Sequence, residues 1–263
     1  MTAALSGRCA VVTGAGQGVG RGIARALAGA GANLLLAQRR ATEGEREADF
    51  LRTTYGVEAI FAATDVTQRD QVERMVQTAH SRFGRLDILV NNAGSSFAKR
   101  LENHTDEDMR GSLDLNFWGV FWAMRAVFPL MKEQGYGRII NIASLNGVNA
   151  HMFTAAYNAS KEAVRALSRT AAVEWGPHGI TVNVICPAAS SPQAQEYFAA
   201  NPEMLQTILQ QIPAGRLGDA QEDIGPIATF LASEGSGYIN GNTVFADGGS
   251  HVNGVTWRPA VAV

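Results

Sequence analysis

One unit near the amino terminus limits the possible folds more than any other. A short apolar run, Cys9-Ala10-Val11-Val12, passes at once into Thr13-Gly14-Ala15-Gly16-Gln17-Gly18-Val19-Gly20. The residues beyond, Val19, Ile23, Ala26, Leu27 and Ala30, recur at helical spacing. A strand feeding a glycine loop and then a helix N-terminus leaves free backbone N–H groups and the positive end of the helix dipole aimed at one place, which suits an anion. The glycines run Gly14-x-x-x-Gly18-x-Gly20, and Val19 stands where the last glycine of a G-x-G-x-x-G loop would fall.

The alternation continues along the chain. Leu34–Ala37, Ala59–Ala63, Leu86–Val90, Arg138–Ala143, Ile180–Ile185 and Thr243–Ala246 read as further strands, separated by segments with helical periodicity. Thr67-Gln68-Arg69-Asp70 and Thr105-Asp106-Glu107-Asp108 read as capping boxes, and Thr154 as the N-cap of a helix carrying Tyr157 and Lys161. Short loops between alternating elements predict an α/β fold: a doubly wound, parallel, seven-stranded sheet with helices on both faces and ligands at the carboxyl ends of the strands. No repeat or linker interrupts the pattern, so 1–263 reads as a single domain. Residues 189–215 form a less regular insertion suited to a lid, and 252–263 read as an arm.

A formal net charge of −2 gives no electrostatic footprint for nucleic acid. No apolar run is long enough for a membrane span or leader, and Cys9 and Cys186 sit apart in apolar runs without metal-ligand spacing. The expectation is a cytoplasmic protein with packed thiols, no metal, no membrane and no nucleic-acid partner. The segment 112–131 is apolar on more than one face, as is the helix 154–175. A second copy of the chain is the expected cover, in a homotetramer or at least a homodimer.

Two places carry chemistry. At the end of the second strand, Gln38-Arg39-Arg40 replaces the carboxylate that would bind a ribose 2′-hydroxyl. Guanidinium groups bind a 2′-phosphate, so NADP(H) is favoured there, with NAD(H) still allowed by the neutral Gln17. The second place is the stretch from Ser144 to Lys161. Tyr157 and Lys161, at i and i+4, share a helix face, so the ammonium can approach the phenol and lower its pKa. Ser144, at a strand end, can bond the same reacting oxygen.

Taken together, Thr13-Gly14-x-x-x-Gly18-x-Gly20, Asp65, Asn91-Asn92-Ala93-Gly94, Asn116, Ser144, Tyr157-x-x-x-Lys161 and Asp247-Gly248-Gly249 resemble the short-chain dehydrogenase/reductase family in its single-domain form, over about Leu5 to Val252. The resemblance implies a Rossmann-like fold and hydride transfer between NAD(P)(H) and a small carbonyl or alcohol. It implies Tyr157 as general acid/base, Lys161 as ribose ligand, Ser144 as the group orienting the substrate oxygen, and Asn116 as the holder of a proton-relay water. It further implies cofactor contacts from Gly14, Gln17, Gly18, Val19, Gly20, Gln38, Arg39, Arg40, Asp65, Val66, Asn91, Ala93, Gly94, Tyr157 and Lys161. Family members commonly have Pro-Gly after the sixth strand, followed by a threonine; here Pro187-Ala188 and Ser190 or Ser191 take those places. Substrate contacts are expected from Ser144, Asn146, His151, Phe153 and Tyr157, within a partly apolar wall drawn from Ser95–Phe97, Leu145–Asn146, His151–Phe153 and the 189–212 segment. An NADP-dependent ketone reductase is the leading expectation, with an NAD-dependent polyol or sugar dehydrogenase and an idle nucleotide-sensing protein as alternatives.

Overall fold

The computed structural model describes residues 3–189 and 199–252. Seven strands, β1 (Cys9–Thr13), β2 (Asn33–Gln38), β3 (Ala59–Ala63), β4 (Ile88–Asn91), β5 (Gly137–Ile142), β6 (Ile180–Pro187) and β7 (Thr243–Ala246), form one sheet in the order β3-β2-β1-β4-β5-β6-β7. Every neighbouring pair is parallel; Val11 sits opposite Leu35 on one side and Leu89 on the other. Helices cover both faces, so the central strands are continuous apolar runs without alternation. Helices α1 (Gly18–Gly29) and α2 (Ala41–Tyr55) bury Ile23, Leu27 and Leu51 against Leu34 and Leu36. On the other face α3 (Arg69–Phe83) buries Val72 and Met75 against Val11 and Leu35.

Sequence order reverses at β1, which has β2 on one side and β4 on the other. Such a reversal opens a crevice beyond the carboxyl ends of the strands. The opposite end of the sheet is tied by charge. Asp87 is fully buried and accepts from Arg8 (2.9 Å), Arg85 (2.7 Å) and the Cys9 N–H (2.9 Å). The Tyr136 ring lies beneath the guanidinium groups of Arg8 (3.8 Å) and Arg138 (4.2 Å).

Where periodicity suggests one helix across 112–131, the structure has α4 (Asp106–Leu113), a π-helical segment (Asp114–Trp118) and α5 (Gly119–Gln134) in succession. Thr105 and Asp108 form the expected capping box on α4. The expected box at Thr67 does not form: its hydroxyl donates to Asp65 (2.8 Å), and Gln68 takes the N-cap position without a side-chain bond. Next come α6 (Leu145–Val148), α7 (Ala155–Trp175) and α8 (Pro202–Gln211). Thr154 is at the N-cap of α7, but its hydroxyl bonds His151 O and Asn158 Oδ1 and caps nothing.

A second π-helical segment (Ala220–Ile224), capped by Asp219, leads into α9 (Gly225–Ala232) and packs on α1. The seam between them has no spare room. A Cβ on Gly22 would lie 2.3 Å from the Ala220 carbonyl carbon, and one on Gly225 would lie 2.5 Å from Ala26 Cβ. Both cysteines are buried, which pushes each thiol up to about 11 and leaves neither a thiolate at neutral pH. Among the described residues, no helix is long and apolar enough to cross a membrane.

Candidate active site

A cleft of about 460 Å³ occupies the crevice at the carboxyl ends of β1 to β4. Gly14, Gln17, Gly18 and Val19 line its floor, Gln38, Arg39 and Arg40 one wall, and Asp65, Val66, Ala93 and Gly94 the other. The first N–H groups of α1 have no intrahelical acceptor and face this space. Gly14 holds φ +66°, and a Cβ on it would lie 2.9 Å from Asn92 Nδ2, so only glycine fits. Gly20, behind the floor, would drive a Cβ to 2.4 Å from the Gly14 carbonyl oxygen.

Arg40 reaches back across the mouth to Gln17 Oε1 (3.0 Å) and pairs with Glu43 (3.2 Å). Gln38 donates to the Arg40 carbonyl (2.8 Å). Arg39 is exposed on the same wall and has no hydrogen-bond or ion-pair partner among the described residues. Asp65 accepts from the Thr67 N–H (3.0 Å), which sets the turn that carries Val66.

The Asn91 side chain does not reach the cleft where it was expected. It is buried at the end of β4 and donates to Asn141 Oδ1 (2.8 Å) across the sheet. Its neighbour Asn92 turns the other way, lines the cleft, and holds the glycine loop through Thr13 O (2.9 Å) and Gly14 O (3.2 Å). Thr13 Oγ1 in turn accepts from the Asn92 and Ala93 N–H groups. Side-chain direction alternates along a strand, so the adjacent asparagines point to opposite faces.

Beyond the cleft, Ser144 ends the strand β5 region and caps α6, accepting from the Asn146 N–H (3.1 Å). Tyr157, on the first turn of α7, has Ser144 as its nearest polar influence. Burial pushes the phenol above its ordinary pKa, and the Ser144 hydroxyl pulls in the opposite direction without cancelling it. Lys161, one turn on, is 3 % exposed and donates to the Ile142 carbonyl (2.8 Å). Desolvation lowers its pKa from 10.5 to about 8. Its ammonium is 5.6 Å from the Tyr157 ring centroid. The phenol's net shift is therefore upward where a lowering was expected: in this pocket desolvation dominates, and each group is pushed toward its neutral form.

Asn116 sits in the π-helical segment, fully buried. Its amide donates to Ser95 O (3.1 Å) and Ser112 O (3.0 Å), and its Oδ1 accepts from the Ser95 N–H (3.2 Å). Gly94 lies between Asn116 and Lys161; a Cβ there would lie 2.5 Å from Asn116 Oδ1 and 3.3 Å from Lys161 Nζ. Asn116, Lys161, Tyr157 and Ser144 are thus brought into one neighbourhood. Ser95 and Ser112 support it and carry no sequence signal of their own.

Past Ser144, the segment 149–153 is held by Thr154 and Asn158, both bonded to His151 O. His151 is exposed, and its Nδ1 is engaged with Met152 O (2.9 Å). Asn146 lies on α6, and Phe153 is exposed at φ +67°. Nearby, the His104 side chain is buried, and among the described residues neither ring nitrogen has a hydrogen-bond partner; Asp108 at 4.0 Å is beyond hydrogen-bond reach. Ala188, in place of the usual glycine, is outside the left-handed region, and its N–H donates to Ala246 O (2.9 Å). The substitution therefore costs no backbone strain. Pro187 precedes it at the end of β6, and Ser190 and Ser191 lie outside the described residues.

A family model described as enoyl-(acyl carrier protein) reductase matches residues 14–251. The chain belongs to the short-chain dehydrogenase/reductase family. The 12alpha-hydroxysteroid dehydrogenase of a Clostridium species is 36 % identical, over 92 % of this chain and 96 % of that one. The gluconate 5-dehydrogenase of Gluconobacter oxydans is 35 % identical, over 95 % of this chain and 96 % of its own. Among solved structures, levodione reductase superposes with a TM-score of 0.89 at 30 % identity, over 94 % of this chain and 99 % of that one. This short-chain dehydrogenase/reductase is an NAD(P)-dependent oxidoreductase. The residues present fit a dinucleotide: the cleft combines free helix N–H groups with an exposed arginine, and glycine is the only residue its floor admits at position 14.

Proposed function

We propose that this enzyme interconverts a ketone and a secondary alcohol with NADP(H), and that Tyr157 is its acid/base. The supporting observation is the convergence of Ser144 and Tyr157 beside the buried Lys161, whose ammonium is 5.6 Å from the phenol ring. A protonated phenol is the form that reduction requires. When bound, the dinucleotide supplies or takes up the hydride. Tyr157 gives its proton to the carbonyl oxygen as that oxygen becomes an alcohol, and takes it back in oxidation. Ser144 fixes the same oxygen from the side of β5 and shares the charge that builds on it. Lys161 lies directly behind, where it can bond a ribose hydroxyl and resupply the proton, and Asn116 holds the Ser95 turn beside it.

The preference for NADP(H) rests on the end of β2, where the cleft wall is Gln38, Arg39 and Arg40 with no carboxylate. Gly14, Gln17, Gly18, Val19 and Gly20 would hold the phosphates, Asp65 and Val66 the adenine, and Ala93, Gly94, Pro187, Ala188 and Ser190 the remainder. The whole of 1–263 would act as one cytoplasmic domain. Trp118 is 40 % exposed and stacks on Trp122, and Phe128 stacks on Trp175, so the π-helical segment, α5 and α7 present an aromatic face suited to a homotetramer or homodimer.

Fluorescence titration with NADPH and NADH tests the cofactor. NADPH should bind more tightly, and Arg39→Asp should reverse the order; equal or tighter NADH binding by the wild type refutes it. Tyr157→Phe should lose about 10² to 10⁴ in turnover while still binding NADPH. Full turnover by that variant would sink the mechanism.

A further inference from the structure

The chain between Ser144 and Tyr157 exposes an unusual amount of apolar surface for a soluble protein. Between those two residues, Val148, Met152 and Phe153 are 39 %, 72 % and 46 % exposed. The loop after β4 adds Phe97 (44 %) and Leu101 (72 %), and the Lys99 N–H donates to Phe153 O (2.7 Å), which seats that loop against the first. On the same carboxyl side of the sheet, α8 has no buried residue at all, and Met204, Leu205, Ile208 and Leu209 share one of its faces. The end of that segment is fastened beside β7, where the Ala214 N–H donates to Gly248 O (3.0 Å).

The loop keeps its apolar residues outward against backbone strain. Ala150 and Phe153 hold φ of +50° and +67°, which non-glycine residues adopt only when their surroundings over-determine it. Lys99, Thr154 and Asn158 supply that constraint. Several polar groups nearby are engaged with one another. Lys99 pairs with Asp108, Arg100 with Glu102, Asn158 with His151 O and His151 with Met152 O. The Asn146 amide, which bonds no described residue, is free to take one substrate oxygen. A polyol entering here would lose a water hydrogen bond at each carbon and find few replacements, whereas hydrocarbon would gain by burial.

We infer that the substrate is a ketone, or the matching alcohol, set in a bulky hydrocarbon skeleton, and that Met152 and Phe153 form the wall that selects it. This rests on the acid/base reading of Tyr157. The reaction stays a two-electron reduction: hydride to the carbonyl carbon, the Tyr157 proton to its oxygen, and oxidised dinucleotide released.

The test compares kcat/KM for decalone, a fused-ring hydrocarbon ketone, with that for fructose, using both cofactors. Wild type should favour decalone by about a hundredfold or more. Phe153→Asn, a residue that tolerates positive φ, and Met152→Asn should each cut that ratio about tenfold, chiefly through KM. Met152 is the more exposed of the two, so its variant gives the readout even where Phe153→Asn fails to fold. Fructose turned over as well as decalone, or an unchanged ratio in both variants, overturns the inference and leaves the oxidoreductase reading standing. No turnover of either ketone by a protein that binds NADPH overturns both.

Discussion

Replacing Lys161 by methionine should abolish turnover and make the protein more stable. On folding, the lysine's pKa falls from 10.5 to about 8 because the ammonium is desolvated. At about 1.4 kcal/mol per pKa unit, folding carries a penalty of about 3 kcal/mol while the group is charged in both states. Methionine fills similar space without a charge but leaves the Ile142 carbonyl without its donor, which costs about 1–2 kcal/mol. The net gain at neutral pH is about 1–2 kcal/mol, or about 3–6 °C in Tm for a chain of this size. The sign with pH follows from proton counting. Below pH 8 both states are protonated and the penalty is complete. Between about 8 and 10.5 the folded protein gives up its proton first, so the unfolded state binds more and wild-type stability rises with pH. The variant lacks that rise. Urea melts of both proteins at neutral pH and across this window measure the difference directly. A variant less stable than wild type at neutral pH, with an unchanged difference at higher pH, would refute the account.

Three further outcomes are expected. Asp87→Asn, which takes the charge from between Arg8 and Arg85, should cost about 2–3 kcal/mol in urea unfolding, less than a fully buried pair because Arg85 is partly exposed. His104→Leu should be neutral or slightly stabilising, since neither ring nitrogen has a partner to lose; a loss above about 1 kcal/mol would reveal a hydrogen bond there. Gly94→Ala should lower kcat/KM about a hundredfold, because its methyl group would displace Asn116 Oδ1 and crowd Lys161 Nζ. Near wild-type kinetics for that variant would show that the loop slides aside freely.

Much of this architecture is legible in the amino-acid order. Buried parallel strands must be apolar runs, and helices between them must be striped, so the seven strands and the crevice at β1 follow from periodicity. The cofactor cleft follows because glycines are needed where backbone must approach backbone, as at Gly14. What periodicity misses is anything decided by one residue of register or one hydrogen bond. The π-helical segment at Asp114–Trp118 adds less than one residue to a helical pattern, yet it accompanies the inward placement of Asn116. Which of Asn91 and Asn92 turns its side chain toward the cleft is likewise a matter of strand parity. Thr67 and Thr154 have the right identity to cap helices, but Gln68 takes the N-cap position of α3 and the Thr154 oxygen accepts no helix N–H. The Tyr157–Lys161 spacing predicts closeness correctly, whereas the direction of the tyrosine's shift depends on desolvation, which only the packed structure exposes.

The seam between α1 and the segment Ala220–Ile224 bears on how this enzyme can be re-engineered. Gly22 and Gly225 each stand where a single methyl group would strike the opposing element, so the helix beneath the nucleotide loop cannot be reseated by small steps. A mutant library meant to change the cofactor should therefore leave Gly22, Ala26 and Gly225 untouched. It should spend its diversity on Gln17, Arg39 and Arg40, whose side chains project from the scaffold that the seam holds still.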